Sequence, residues 1–373
     1  MKITEFLSNE LFLLPIIQPP KQDFKQFIFK QLDSFNLKLT ELNEQQTHFD
    51  DVSHYPIERI CNRQRHLSDQ IKATLDAYYN GKPSEAFRNL SEGMISNLKN
   101  FNDVLNVRTY FSDENFYRIR LHKENFPIEI NSFFHIPFEK RGLVKTQRFS
   151  IPGFPSLYLG SSVYLCWEEL NRPNINEFQA VRLRTTNRLN IIDLAPPKFD
   201  NVHPDDLYNY LMIWPLVMAC SVKVRNYEDT FKPEYIIPQL LLQWVREKED
   251  IDGICYQTTH MNFKKNSLVE GEFINIVLPV KDNKSRGLCD HLKSKFEMTF
   301  ATSIQLSQCA NNGHNYIYLS NELESLNKHA KNIEVIPGRI TRYSDSILGE
   351  LERNLNNLTT WPIGQQQEEM AAD

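Results

Sequence analysis

The sequence predicts an α+β protein in which a helical N-terminal domain precedes a mixed domain, and three observations carry that prediction. Apolar residues recur at intervals of three and four through QDFKQFIFKQLDSFNLKLTELNEQ (22–45), as an amphipathic helix requires. Past residue 108 the pattern changes to short runs rich in β-branched and aromatic residues: FYRIRL (116–121), SLYLG (156–160), FQAVRLRT (178–185), LNIIDLA (189–195), GICYQT (253–258) and FINIVLP (273–279). Helix-like segments at 162–170, 204–220 and 233–248 separate these strands.

In chain order, a second helix is expected over 69–79, stopped by Asn80-Gly81. Pro83 and Ser84 open a third, SEAFRNLSEGMISNLKNF (84–101). The Asn-Gly-Lys-Pro link makes these two an antiparallel hairpin that either packs on the following domain or receives a partner. The expected division is a helical domain over 1–107, a mixed domain over 108–310, and an extension over 311–373 whose tail after Trp361 is polar. The chain has no internal repeat.

With 41% apolar residues, the 373-residue chain can bury a substantial core. The net charge of −5 is spread without a basic block, which argues against nucleic acid as the main partner. The apolar run Leu11 to Ile17 follows Glu5 and Glu10 and lacks a basic leader, so no signal peptide is expected. No apolar stretch approaches the ~20 residues that span a bilayer, so no membrane partner is expected either. Six scattered cysteines without a CxxC pair suit a reducing cytoplasm. His48, His54, Cys61 and His66 match no common zinc spacing, so no metal is expected. Arg59 and His66 share a helix face with the spacing of some helical ribonucleases, within an otherwise ordinary segment.

The most informative stretch is QRFSIPGFPSLYLGSSVYLCWEEL (147–170). Arg148 is followed ten residues later by Tyr158 and eleven after that by Glu169. A cation, an aromatic face and a carboxylate from consecutive elements suit a ligand that joins phosphates, a ribose and a flat cationic ring, as NAD+ does. A guanidinium holds the pyrophosphate. An aromatic ring meets the nicotinamide. A carboxylate beside the ribose stabilises the oxocarbenium-like charge that grows as the N-glycosidic bond lengthens. Nicotinamide leaves neutral, so no general acid is needed.

RFSIPGFPSLYLG…CWEEL resembles the signature of the RES-domain family, and FKPEYIIPQLLLQWVREKEDIDGICYQTTHMN…GEFINIVLP resembles that family's second half. Together the match covers roughly residues 116 to 280. The resemblance implies an ADP-ribosyltransferase-like split β-sheet. It also implies an enzyme that consumes NAD+, as a glycohydrolase, a phosphorylase or an ADP-ribosyltransferase, with NAD+ as the substrate. Toxins of this family are restrained by antitoxins. The resemblance therefore suggests a toxin–antitoxin or phage-defence role and an antitoxin or regulatory partner; a homo-oligomer stays open as a further partner state. By position, Arg148 would bind NAD+, Tyr158 would face nicotinamide, and Glu169 would be the family glutamate. A shift of one residue would exchange Glu169 for Glu168. Thr258 stands where the family has serine, and Phe149-Ser150 where many members have Trp-Asn. Asn275 lies where an amide would meet the nucleotide.

Three further readings stay open at the level of sequence. Arg118 and Arg120 share a strand face that is either a solvated edge or a phosphate site, with Arg120 preferred as the ligand-facing residue. His135, in FFHIPF, either positions substrate or is structural. The departures at Thr258 and Ser150 leave room for a nucleotide sensor that binds without cleaving.

Overall fold

The computed structural model describes residues 1–94, 105–124, 126–197, 203–261, 269–310, 326 and 329–364. It is α+β, and it divides into two compact units that are not consecutive in the chain. The first gathers Met1–Arg108, Thr146–Ile151 and Ile192–Glu249; the second gathers Thr109–Lys145, Pro152–Ile191 and Asp250–Asp373. The units cut the chain differently from the consecutive division 1–107, 108–310 and 311–373.

The first unit is helical. Phe24–Gln45 starts at Asp23, whose carboxylate accepts from the Gln26 N–H, and it buries Phe27, Ile28, Leu32, Phe35, Leu39 and Leu42 along one face. The next helix, Ile57–Tyr79, begins twelve residues before the expected start at residue 69. Its buried stripe of Ile57, Ile60, Leu67, Ile71 and Leu75 keeps the same spacing back to the first turn. Gly81 takes φ 72° in the turn that follows, and Pro83–Met94 packs back on the previous helix. The remainder of that predicted helix, from 95, lies outside the described residues. The expected 204–220 helix is two, Pro204–Met212 and Trp214–Cys220, broken at Ile213. Pro215 supplies no N–H there to continue the ladder. Trp214, Leu216, Val217, Ile237 and Leu241 are all buried, which explains why 192–249 joins this unit rather than the mixed one.

The second unit carries most of a nine-stranded sheet. Its strands are β1 (Val107–Tyr110), β2 (Asn115–Leu121), β3 (Ser156–Gly160), β4 (Phe178–Thr185), β5 (Leu189–Asp193), β6 (Gly253–Gln257), β7 (Ile274–Pro279), β8 (Phe296–Met298) and β9 (Trp361–Pro362). The spatial order is β9-β8-β4-β2-β3-β7-β6-β5-β1. The ladders β4–β2, β3–β7 and β7–β6 are antiparallel and continuous, whereas β2 and β3 pair through a single position, Tyr117 opposite Gly160. A three-stranded sheet of Glu270–Gly271, Ala330–Ile336 and Arg339–Arg342 stands beside it in sequence. The helices Val163–Glu169 and Ile347–Asn357 share a core with Tyr117, Phe178, Phe273 and Tyr343.

All six cysteines are free thiols; Cys61, Cys166, Cys220, Cys255 and Cys289 are buried, and Cys309 on the Ile304–Ala310 helix is exposed. Among the described residues, no helix is long and apolar enough to cross a membrane.

Candidate functional site

Register places Tyr158, Gly160, Asn275 and Tyr256 on one face of the sheet, because Asn275 lies opposite both Gly160 and Tyr256, and Val277 lies opposite Tyr158. The Val163–Glu169 helix packs against that face. It comes so close that a Cβ on Gly160 would stand 2.7 Å from the Cys166 Sγ. The Cys166 thiol donates to the Tyr117 carbonyl at 3.2 Å, and burial pushes its pKa up to about 12.

The two adjacent glutamates at the end of this helix separate. Glu168 is buried and forms a bidentate pair with Arg172, Nε at 2.9 Å and Nη2 at 2.8 Å. Asn171 and Arg172 take φ 59° and 55°, left-handed values that turn the chain so that the arginine folds back on its own helix. Arg172 also donates to the carbonyls of Val335 and Glu334, which ties the strand Ala330–Ile336 to the same point. Glu169 faces elsewhere. Its Oε1 accepts from the Asn275 amide at 2.6 Å, and its Oε2 lies 3.5 Å from the His260 Nε2. The side chain keeps 26% of its surface open to solvent, against 9% for Glu168.

Thr258 is buried at the end of β6, and its Oγ1 accepts from the His260 N–H at 3.2 Å. Glu169, Asn275, His260 and Thr258 therefore form one connected set, with Tyr158 two strands from Thr258 in the same sheet. His260 was not singled out from the sequence. Its only cue there is a place two residues past Thr258.

The arginines divide unexpectedly. Arg148 belongs to the first unit, so it shares no compact unit with Tyr158 and Glu169. Its Nη1 donates to the Cys220 carbonyl at 3.0 Å, and its guanidinium lies 5.4 Å from the Tyr235 ring centre. Arg120, the preferred member of the strand pair, is exposed and donates to the Ser132 carbonyl. Arg118 is the more buried of the two. Its Nη1 is fully shielded and has no hydrogen-bond partner among the described residues. Burial pulls its pKa down to about 10, with Arg120 adding to the effect and Cys166 and Tyr158 opposing it. Arg118 directly follows Tyr117, the one position that joins β2 to β3.

His135 is buried and hydrogen-bonded through both ring nitrogens. Its Nε2 accepts from the Cys289 N–H at 2.8 Å, so Nδ1 carries the proton and donates to the Ile136 carbonyl at 2.9 Å. Burial pulls its pKa down to about 4, and both nitrogens are committed to backbone. Of the ribonuclease-like pair, Arg59 lies 5.2 Å from the Tyr55 ring centre, and His66 contacts the Glu92 carbonyl. No group of three or more His, Cys, Asp or Glu among the described residues is arranged to hold a metal.

Fold and site together define an α+β protein with a carboxylate, an amide and an imidazole gathered beside an aromatic strand face. A Bacillus subtilis (strain 168) protein named "Putative toxin YopC" is 35% identical over 255 residues, covering 62% of this chain and 57% of that protein. The chain thus spans little more than half the length of this relative. No family model matches the chain, and no solved structure matches it.

Proposed function

We propose that this chain is a toxin whose second unit cleaves the nicotinamide–ribose bond of NAD+. The toxin reading draws on the name of the Bacillus subtilis relative. The chemical reading draws on the resemblance of 147–170 and 231–279 to RES domains. The observation that carries it is the separation of the two glutamates. Glu168 is neutralised by Arg172, while Glu169 is left accessible and oriented by Asn275 and His260.

In this reaction the C1′–N1 bond breaks and its electron pair stays on the ring nitrogen, so nicotinamide departs neutral. Glu169 accepts hydrogen bonds from the ribose hydroxyls and offsets the positive charge on the sugar. Tyr158 lies against the nicotinamide ring and Thr258 offers a hydroxyl to the nucleotide. Arg118, with an enclosed and unsatisfied N–H, is the cation of this unit for a phosphate. An oxygen of water, phosphate or a macromolecule then closes on C1′ and releases its proton. Because unrestrained NAD+ loss would harm the host, the reading includes an antitoxin or regulatory partner.

The test is NAD+ consumption by purified full-length protein with product analysis. Glu169→Gln is expected to lose ~100-fold or more in turnover while staying folded. Glu168→Gln, which breaks the Arg172 pair, should lower the melting temperature more than the turnover. Full turnover in Glu169→Gln would refute the carboxylate's role. Saturable NAD+ binding without nicotinamide release would instead support a sensor.

A further inference from the structure

The Val163–Glu169 helix is short, and its far end is held by a residue from the C-terminal helix. Glu352, on Ile347–Asn357, is 1% exposed. Its Oε2 accepts from the Val163 N–H at 2.7 Å and from the Tyr343 hydroxyl at 2.7 Å. Val163 opens the helix, so its N–H has no partner within the helix and takes the carboxylate instead. One turn along from Glu352, the Asn356 Oδ1 accepts from the Tyr117 hydroxyl at 2.6 Å. The C-terminal helix therefore grips both the start of the Glu169 helix and the strand position joining β2 to β3. Gly349 lets it do so, because a Cβ there would run into the Tyr343 carbonyl.

We propose that Glu352 is a positioning residue that fixes Glu169 by anchoring the opposite end of the Val163–Glu169 helix. The inference rests on the NAD+-cleaving role of Glu169. Seven residues of helix span ~10 Å at ~1.5 Å per residue, so a shift at Val163 is carried along the helix to Glu169 as a rigid displacement. A misplacement of ~1 Å at a catalytic carboxylate costs on the order of 100-fold in rate.

Glu352 is also a titrating anchor. The groups facing it are the Tyr343 hydroxyl, the Tyr117 hydroxyl with Arg182 beside it, and the Cys166 thiol. Burial pushes its carboxyl up to about 7, against the opposing hydrogen bonds from the Tyr343 hydroxyl and the Val163 N–H. The ionised form holds the Val163 N–H by a charge-assisted bond, and the protonated form holds it less tightly. Turnover should therefore rise as pH passes through about 7. Stability runs the other way. Because the folded-state value lies above the ordinary 4.5, Glu352 contributes stability that is fully present below pH 4.5 and lost as pH rises through about 7.

The experiment measures kcat and KM for NAD+ from pH 6 to 8.5 on full-length wild type, Glu352→Gln and Tyr343→Phe. Glu352→Gln keeps an acceptor oxygen and removes the titration. Its profile should lose the rise near neutrality, with kcat reduced about tenfold at pH 8 and KM within about twofold. Tyr343→Phe removes one donor to the carboxylate and should move the rise to higher pH. A wild-type profile in Glu352→Gln overturns the proposal. If wild type itself consumes no NAD+, the glycosidic reading fails and the anchor is read without it, by amide hydrogen exchange over 163–169 at pH 8. At least tenfold faster exchange in Glu352→Gln than in wild type supports the anchor, and equal exchange removes it.

Discussion

Arg118 is half-buried with a shielded Nη1, Arg148 is buried, and their surroundings differ. Arg148 donates to the Cys220 carbonyl and lies over the Tyr235 ring. Arg118 keeps an enclosed Nη1 without a hydrogen-bond partner among the described residues, a condition that costs ~1–3 kcal/mol and is tolerated where a ligand completes the bond. Calorimetry with NAD+ should show Arg118→Gln weakening binding tenfold or more and Arg120→Gln changing it less than about twofold. Arg148→Gln should lower the melting temperature by several degrees, since it removes the hydrogen bond to the Cys220 carbonyl and the packing on the Tyr235 ring. Equal losses of binding in the two strand variants would remove Arg118 from the site. The sequence shows two arginines on one strand face. The exposed Arg120 meets the Ser132 carbonyl, and no spacing rule reveals that contact. The glutamates teach the same lesson: Glu168-Glu169 was legible as one inward and one outward carboxylate, but the left-handed turn at Asn171-Arg172 decides between them.

At the scale of elements, the strands that flank the site were readable because their apolar and β-branched runs are continuous. Ser156–Gly160 and Phe178–Thr185 match their sequence bounds, and Ile274–Pro279 starts one residue late. The hairpin Ala330–Ile336 with Arg339–Arg342 was missed because lysine, asparagine and glutamate interrupt its apolar alternation. The join between β6 and the Asp290–Lys293 helix depends on Asp252, which is buried. Its carboxylate accepts from the Asn190 N–H at 2.9 Å, lies 2.9 Å from the His291 Nε2, and lies 3.4 Å from the Lys295 Nζ. Burial alone would push this carboxyl up, but His291, the Asn190 N–H and Lys295 together hold it below the ordinary 3.8. A depressed folded-state value means stability that is present above pH 3.8 and lost as pH falls below it. Denaturant titrations should find Asp252→Asn less stable than wild type by ~1–3 kcal/mol at neutral pH, with the gap narrowing towards pH 3. A gap that stays constant with pH would show that the ion pairs contribute nothing.

At the scale of the molecule, the chain crosses between the two units at 108/109, 145/146, 151/152, 191/192 and 249/250. A fragment cut as a consecutive domain cannot keep either unit whole. The piece 108–310 would retain Trp214, Leu216, Ile237 and Leu241 without the N-terminal helices of their unit. It would also lack Glu352 and Asn356. Size-exclusion chromatography and proteolysis should find this fragment aggregated or readily digested, while the full chain stays unaggregated and resists digestion. A monomeric, protease-resistant fragment would overturn this account of the units. Composition changes along the chain announced a helical part and a mixed part. They could not announce that 192–249 returns to the helical part, because an apolar helix reads the same whichever partner buries it.

Cys309 gives experimenters a handle that nature left in place. The five other thiols are shut away from reagents, so a maleimide dye would attach at one address without any cysteine being engineered out. That address sits on Ile304–Ala310, which contacts the helix bearing Glu352. A fluorophore there would watch the anchoring helix directly, in the unmutated protein, as ligand is added or acidity changed.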